Sequence, residues 1–230
     1  MKRTLFALAA GLLMLTSCSE HYKVQGTSSV PAIEGSTLYL KVFADNEMQV
    51  IDSATVTHGR FSFNGALDST VLVNLYWGEA SIMPLVLEPG EVTIDIEETQ
   101  QTATGTPLND SLSAFVRRKA EIEYALAEMP RRESRMIMEG LDHDLVLAQL
   151  REEADELTTT NDALVSRFIR QNYENVLGPG IFMVLTSTQR YPLLTPQIEA
   201  LAVNAPPYFL NHPYVKQYLD AARRNKEKMK

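Results

Sequence analysis

The apolar residues of this chain change period near Gly105, and that change limits what the chain can fold into more than any other feature. From Tyr22 to about Thr104 the period is close to two, as in Leu38-Tyr39-Leu40-Lys41-Val42-Phe43 and Glu91-Val92-Thr93-Ile94-Asp95-Ile96. Such alternation sets successive side chains on opposite faces of a strand. Further strands are predicted at Gln49 to Val56, Arg60 to Phe63, Val71 to Tyr76 and Ile82 to Leu87. His58-Gly59, Asn64-Gly65 and Pro89-Gly90 separate them as turn signals, because Gly tolerates positive φ and Pro presets its own. About seven short strands without intervening helices predict an antiparallel sandwich or a partly open barrel.

After Gly105 the apolar positions Leu108, Leu112, Phe115, Ile122, Leu126 and Met129 step by three, four and their multiples, which puts them on one helical face. Asn109-Asp110-Ser111-Leu112 and Asn161-Asp162-Ala163-Leu164 read as helix starts, since a short side-chain oxygen accepts from the free amides of a first turn. Pro130 is expected to end or kink the first helix. A second is expected from about Ser134 to Leu157, a third from Asp162 to Val176, a break at Gly178-Pro179-Gly180, and a basic terminal helix from Tyr214 to Lys230. The expected fold is therefore α+β: a β domain over 18–104 followed by a helical region over 105–230, with 1–17 set apart as a leader.

That leader begins with Lys2 and Arg3 and continues in a short apolar run from Leu5 to Leu15, the layout of a signal peptide. A membrane-spanning helix needs about 20 apolar residues, so removal is expected rather than spanning. Leu15-Thr16-Ser17-Cys18 resembles the lipobox of bacterial lipoproteins, which implies cleavage before Cys18, alkylation of its sulfur by a diacylglyceryl group and acylation of the freed amine. Two or more chains anchor stably where one does not. Removing Lys2 and Arg3 moves the formal charge from −8 to −10, which argues against a nucleic-acid partner and against a basic membrane-binding patch. Cys18 is the only cysteine, so the mature domain holds no internal disulfide, no thiolate metal cluster and no Cys-x-x-Cys couple. Ser19 lacks the Asp that signals inner-membrane retention, and Glu20 alone falls short of an acidic surface-display run. The expected location is the outer membrane, facing the periplasm.

A second resemblance is spread along the chain. Val24-Gln25-Gly26, Ile51-Asp52-Ser53-Ala54, Gly59-Arg60-Phe61-Ser62-Phe63-Asn64-Gly65, Leu87-Glu88-Pro89-Gly90 and Gly105-Thr106-Pro107-Leu108-Asn109-Asp110, with a weaker Phe168-Ile169-Arg170-Gln171-Asn172, resemble the domain of unknown function numbered 4369 of Bacteroidota lipoproteins. In that family the domain often precedes a thioredoxin-like thiol-disulfide oxidoreductase domain. This sequence reaches Lys230 without a Cys-x-x-Cys, so the dithiol cycle is not expected here; the resemblance implies the fold and a non-catalytic role. The matched residues read as scaffold: Gly26, Gly59, Gly65, Gly90 and Gly105 at turns, and Phe61 and Phe63 on one strand face. Asp52, a carboxylate within an apolar strand, is the candidate exception.

His21, His58, His143 and His212 lie far apart, and none forms a His-x-His or His-Glu-x-x-His arrangement. Asp142-His143-Asp144 is the densest ligand-like cluster, but three neighbours on a helix point in different directions, so a solvated helix start is expected. No Gly-x-Ser-x-Gly elbow, phosphate loop or dinucleotide fingerprint is present. Tyr76 and Trp77 are the candidate partner-binding residues, flat amphipathic rings ending a strand; the competing place for Trp77 is half-buried under the helical part. Arg117-Arg118-Lys119 and Arg131-Arg132 read as wet helix faces. The composite expectation is a lipid-anchored envelope binding or assembly module with no catalytic residue, cofactor or metal and with an envelope protein partner. The alternatives are an accessory docking on a separate thioredoxin-like oxidoreductase, with an exposed apolar patch on its helical face, and an enzyme whose site only the fold assembles.

Overall fold

The structure is a computed structural model in which residues 20–44 and 47–228 are described; the leader and Cys18 lie outside them. The fold is α+β. Eight strands come first: β1 Glu20–Ser28, β2 Thr37–Ala44, β3 Glu47–Thr55, β4 Arg60–Leu67, β5 Val71–Trp77, β6 Ala80–Leu87, β7 Gly90–Ile96 and β8 Gln101–Thr104. Six helices follow: α1 Pro107–Met138, α2 His143–Gln171, α3 Leu177–Ser187, α4 Pro196–Ala202, α5 Pro207–Leu210 and α6 Pro213–Lys228. No helix among the described residues is long and apolar enough to cross a membrane.

The strands form two sheets, ordered β4-β1-β7-β8 and β3-β2-β5-β6, which do not close into a barrel. Every pairing is antiparallel except β1 with β7, which are parallel because the chain returns to β1 only after building the second sheet. The period of two does its expected work: Tyr22, Val24, Phe61, Phe63, Leu38, Leu40, Val73, Leu75, Val92 and Ile94 meet in the core between the sheets. The chain passes from Leu67 to Val71 in a few residues and from Leu87 to Gly90 through Glu88 and Pro89, and Gly90 lies beside Tyr22. The start of β1, the ends of β4 and β6 and the turn between β2 and β3 therefore share one end of the sandwich, called here the near end; Ser28, the Thr57–Arg60 turn and Trp77 lie at the far end.

Two glycine readings change. Gly26 and Gly65 lie in strands, not turns, and each faces an aromatic across the β1–β4 pair: Gly26 opposite Phe61, Gly65 opposite Tyr22. A Cβ on Gly26 would sit 2.0 Å from Cζ of Phe61, and one on Gly65 2.7 Å from the Tyr22 hydroxyl. The rings lie over the bare backbone and fill what the missing side chains leave. The His58-Gly59 turn is as expected, with φ of 52° and 69°, and both its amides donate to the Glu34 carboxylate at 2.8 and 2.9 Å. Those two amides hold the Glu34 carboxyl below the usual carboxylate range. β8 is a short strand that the alternation did not reveal.

The helix boundaries also differ. Pro130 lies inside α1, on its exposed side, where the missing amide bond costs least. Asn161 and Asp162 lie inside α2, because a continuous apolar seam through Val146, Leu150, Val165 and Phe168 outweighs their capping preference. Gly178-Pro179-Gly180 forms the first turn of α3 rather than a break; a Cβ on Gly178 would meet the Asn172 carbonyl oxygen at 2.4 Å, so glycine allows that close approach. A second core joins the helices to the outer face of the sheet: Val86 packs with Phe115, Phe168, Ile169, Ile181, Phe182, Phe209 and Leu219, and Leu72 adjoins them.

Candidate interaction surfaces

Two motifs that are about 15 residues apart in sequence meet in space at the near end of the sandwich. Glu88, almost fully buried, accepts from the amides of Leu108 and Asn109 at 3.0 and 3.3 Å, capping the start of α1. Asn109 is 0 % exposed. Its side-chain oxygen accepts from Val86 N–H at 2.9 Å, and its Nδ2 donates to the Val86 carbonyl at 2.8 Å and to Thr106 Oγ1 at 2.8 Å. The side chain thus stands in for a neighbouring strand along β6. One turn on, Ser113 does the same for β8, accepting from Ala103 N–H at 3.3 Å and donating to its carbonyl at 2.5 Å. Both strands end their sheets on the same side, so α1 seals the two edges through side chains four residues apart. Asn109 is read from sequence as the cap of a helix start, but α1 begins at Pro107 and the Asn109 oxygen accepts from β6 while Glu88 takes the first-turn amides; the spacing of Asn109 and Ser113 is the signal that could have revealed the role it has.

The opposite edge is open. Around a bulge between Leu40 and Lys41, β3 leaves the plane of its neighbours, and Glu47 to Ile51 are exposed. Phe43 (44 % exposed), Met48 (42 %), Val50 (57 %) and Ile51 (41 %) gather there. Phe43 pairs with Met48 and Lys41 with Val50, so these four lie on the outer face of the sheet. Asp52, the candidate exception, accepts the Tyr22 hydroxyl at 3.0 Å and the Ser53 amide at 2.7 Å, tying β3 to β1 across the two sheets. Burial first, then this bond, push the Tyr22 phenol up to about 12.

Tyr76 and Trp77 stand on opposite faces of β5. Tyr76 pairs with Tyr39 on the outer face, and Lys41 Nζ lies 4.6 Å from the Tyr76 ring centre and 5.9 Å from that of Tyr39. Trp77 pairs with buried Leu38 at the far end, 39 % exposed. Tyr76 therefore belongs with Tyr39, Lys41 and the open edge, and Trp77 does not.

A third exposed surface is the end of the α1–α2 hairpin. At 1.5 Å per residue, 32 residues of α1 extend about 48 Å, beyond what a nine-residue strand of about 30 Å can cover. Its outer half is held by Ile122, Met129, Val146 and Leu150 and by an Arg132–Glu153 pair at 2.5 Å. Beyond these, Met138 (81 % exposed), Leu141 and Leu145 (72 %) face solvent. The Asp142-His143-Asp144 cluster is a helix start here, since Asp142 Oδ1 accepts from the amides of Asp144 and Leu145 at 3.0 and 3.1 Å. Arg118 pairs with Glu121, Lys119 with Glu123 and Arg131 with Glu128 on the wet face of α1.

A sandwich with one sealed edge, one open edge and a helical region carrying an exposed hairpin defines an α+β scaffold. Residues 22–112 match the family model described as a domain of unknown function (DUF4369), and that segment is a member of the family. The match runs from β1 through the first turns of α1, so it includes the Glu88–Asn109 joint that fastens helix to sheet. No curated protein matches the chain.

Proposed function

We propose that this chain is a lipid-anchored envelope lipoprotein, attached through Cys18 to the outer membrane and facing the periplasm, that works as a non-catalytic binding or assembly module. The observation that carries the docking role is the apolar end of the α1–α2 hairpin, where Met138, Leu141 and Leu145 form an exposed group on a protruding element. The lipobox at Leu15–Cys18 supports the anchor. A related reading makes the partner a separate thioredoxin-like oxidoreductase; the same exposed apolar group favours it, since that partner would replace the domain to which this family is often fused.

In-cell crosslinking of the lipidated protein followed by mass spectrometry tests this, with Cys18→Ala as the control expected to leave the membrane fraction. Recovery of an envelope assembly protein supports the module, and recovery of a thioredoxin-like protein supports the accessory role. Reproducible hydrolase or disulfide-exchange activity that a single point substitution abolishes would overturn both.

A further inference from the structure

We infer that the open edge of the sandwich, through Phe43, Met48, Val50 and Ile51, lies against the lipid surface to which Cys18 is anchored. The inference deepens the proposed function and rests on its reading of Cys18 as acylated. The Tyr22–Asp52 hydrogen bond sets β1 and β3 level with each other at 3.0 Å. From Tyr22 the chain runs back toward the near end to Glu20, and from Asp52 β3 runs the same way to Glu47. Cys18 is two residues before Glu20, so whatever its path it stays within about 7 Å of it. Glu20 lies two residues from Tyr22 toward the near end and Met48 four residues from Asp52 in the same direction, so an anchor held within about 7 Å of Glu20 and the exposed apolar edge belong to the same end of the sandwich.

The chemistry of the edge fits that place. Exposed aliphatic, thioether and aromatic side chains sit beside Tyr39, Tyr76 and Lys41, a set whose rings and stem favour the boundary between headgroups and acyl chains. Glu47 beside the turn keeps the hairpin at headgroup depth. Without Lys2 and Arg3 the acylated chain carries a formal charge of −10, so the contact is apolar and anionic lipid does not strengthen it. Anchored there, the protein has a fixed orientation rather than swinging on a tether.

The test uses the full acylated protein. Acylation consumes the only native thiol, so single substitutions Met48→Cys and Val50→Cys accept one environment-sensitive fluorophore each, and Thr55→Cys, exposed at the far end of the same strand about 23 Å from position 48 and about 16 Å from position 50, is the control. The proteins are reconstituted in phosphatidylethanolamine vesicles with and without phosphatidylglycerol, carrying shallow nitroxide lipids. The expected result is a blue-shifted label at positions 48 and 50, quenched to less than about half its intensity as insertion of about 5–10 Å would give, an unquenched label at 55, and no gain from phosphatidylglycerol. Labels at 48 and 50 that behave as at 55, on protein whose intact mass shows the acyl chains, overturn this inference alone. An intact mass without acyl chains, with a second thiol labelled, overturns the anchored reading and this inference with it.

Discussion

The two edges of the sandwich are treated in opposite ways. On the β6–β8 side, α1 meets the edge at one residue of each strand, with Asn109 and Ser113 bonding both the donor and the acceptor of Val86 and Ala103. On the β3 side the strand is bulged, acidic at its turn and apolar behind it, with no element of the described residues laid over Met48 and Val50. A sealed edge can be rigid and buried, so it fixes how the helices sit on the sheet. An open edge with apolar side chains remains available for something outside the chain.

Asn109→Ala should have the largest effect, because it leaves the buried Val86 amide and carbonyl without partners and uncouples Thr106. About 4 kcal/mol of stability is expected to go, read from urea unfolding, with β6 and α1 losing amide-exchange protection together. An unchanged midpoint would mean that the edge is not sealed through this side chain. Gly26→Ala should cost about 3 kcal/mol, since the new methyl must displace a buried ring. The same substitution in a Phe61→Ala background should cost far less, and a cycle that adds up independently would break the pairing of bare backbone with ring.

His212 gives a smaller, pH-dependent effect. Burial depresses its pKa below the usual 6.5, and its Nδ1 is buried with no hydrogen-bond partner among the described residues. The folded state therefore favours the neutral ring, so this stability is present above the usual histidine pKa and is lost as pH falls through the depressed folded value. Thermal unfolding of the native protein should drop more between pH 7 and pH 5 than that of His212→Gln; equal slopes would remove the histidine from the account. Smallest of all, Val50→Ser on the open edge should change stability by no more than about 0.5 kcal/mol. A larger loss would show that β3 is held by contacts of its own.

The strands were legible because two-sided alternation is a local signal, and the sandwich core follows residue by residue from it. Gly26 and Gly65 were not, because a glycine under an aromatic on the next strand reads in one dimension like a glycine in a turn. The helix boundaries failed where tertiary packing outweighs local preference, at Pro130, at Asn161-Asp162 and at Gly178-Pro179-Gly180. The joint was half legible: Glu88 and Asn109 both stood within motifs carried by the family resemblance, but their meeting depends on the return of the chain from β7 through β8 to α1. Of the candidate site, Tyr76 found partners in Tyr39 and Lys41, and Cys18 lies outside the described residues. The exposed hairpin end could not be read from the helical pattern, since Met138, Leu141 and Leu145 look like seam residues until they are seen at the last residue of α1, in the turn and in the first turn of α2, with nothing among the described residues packed over them.

The most direct test of a non-catalytic docking module is photocrosslinking in living cells from a residue introduced at Met138 or Leu145, compared with Thr55 at the far end of β3. A single envelope protein captured from the hairpin positions, lost when Cys18→Ala releases the chain from the membrane and not captured from Thr55, is the predicted result. Capture that is equal at all three positions, or unchanged in the Cys18→Ala protein, would contradict the account.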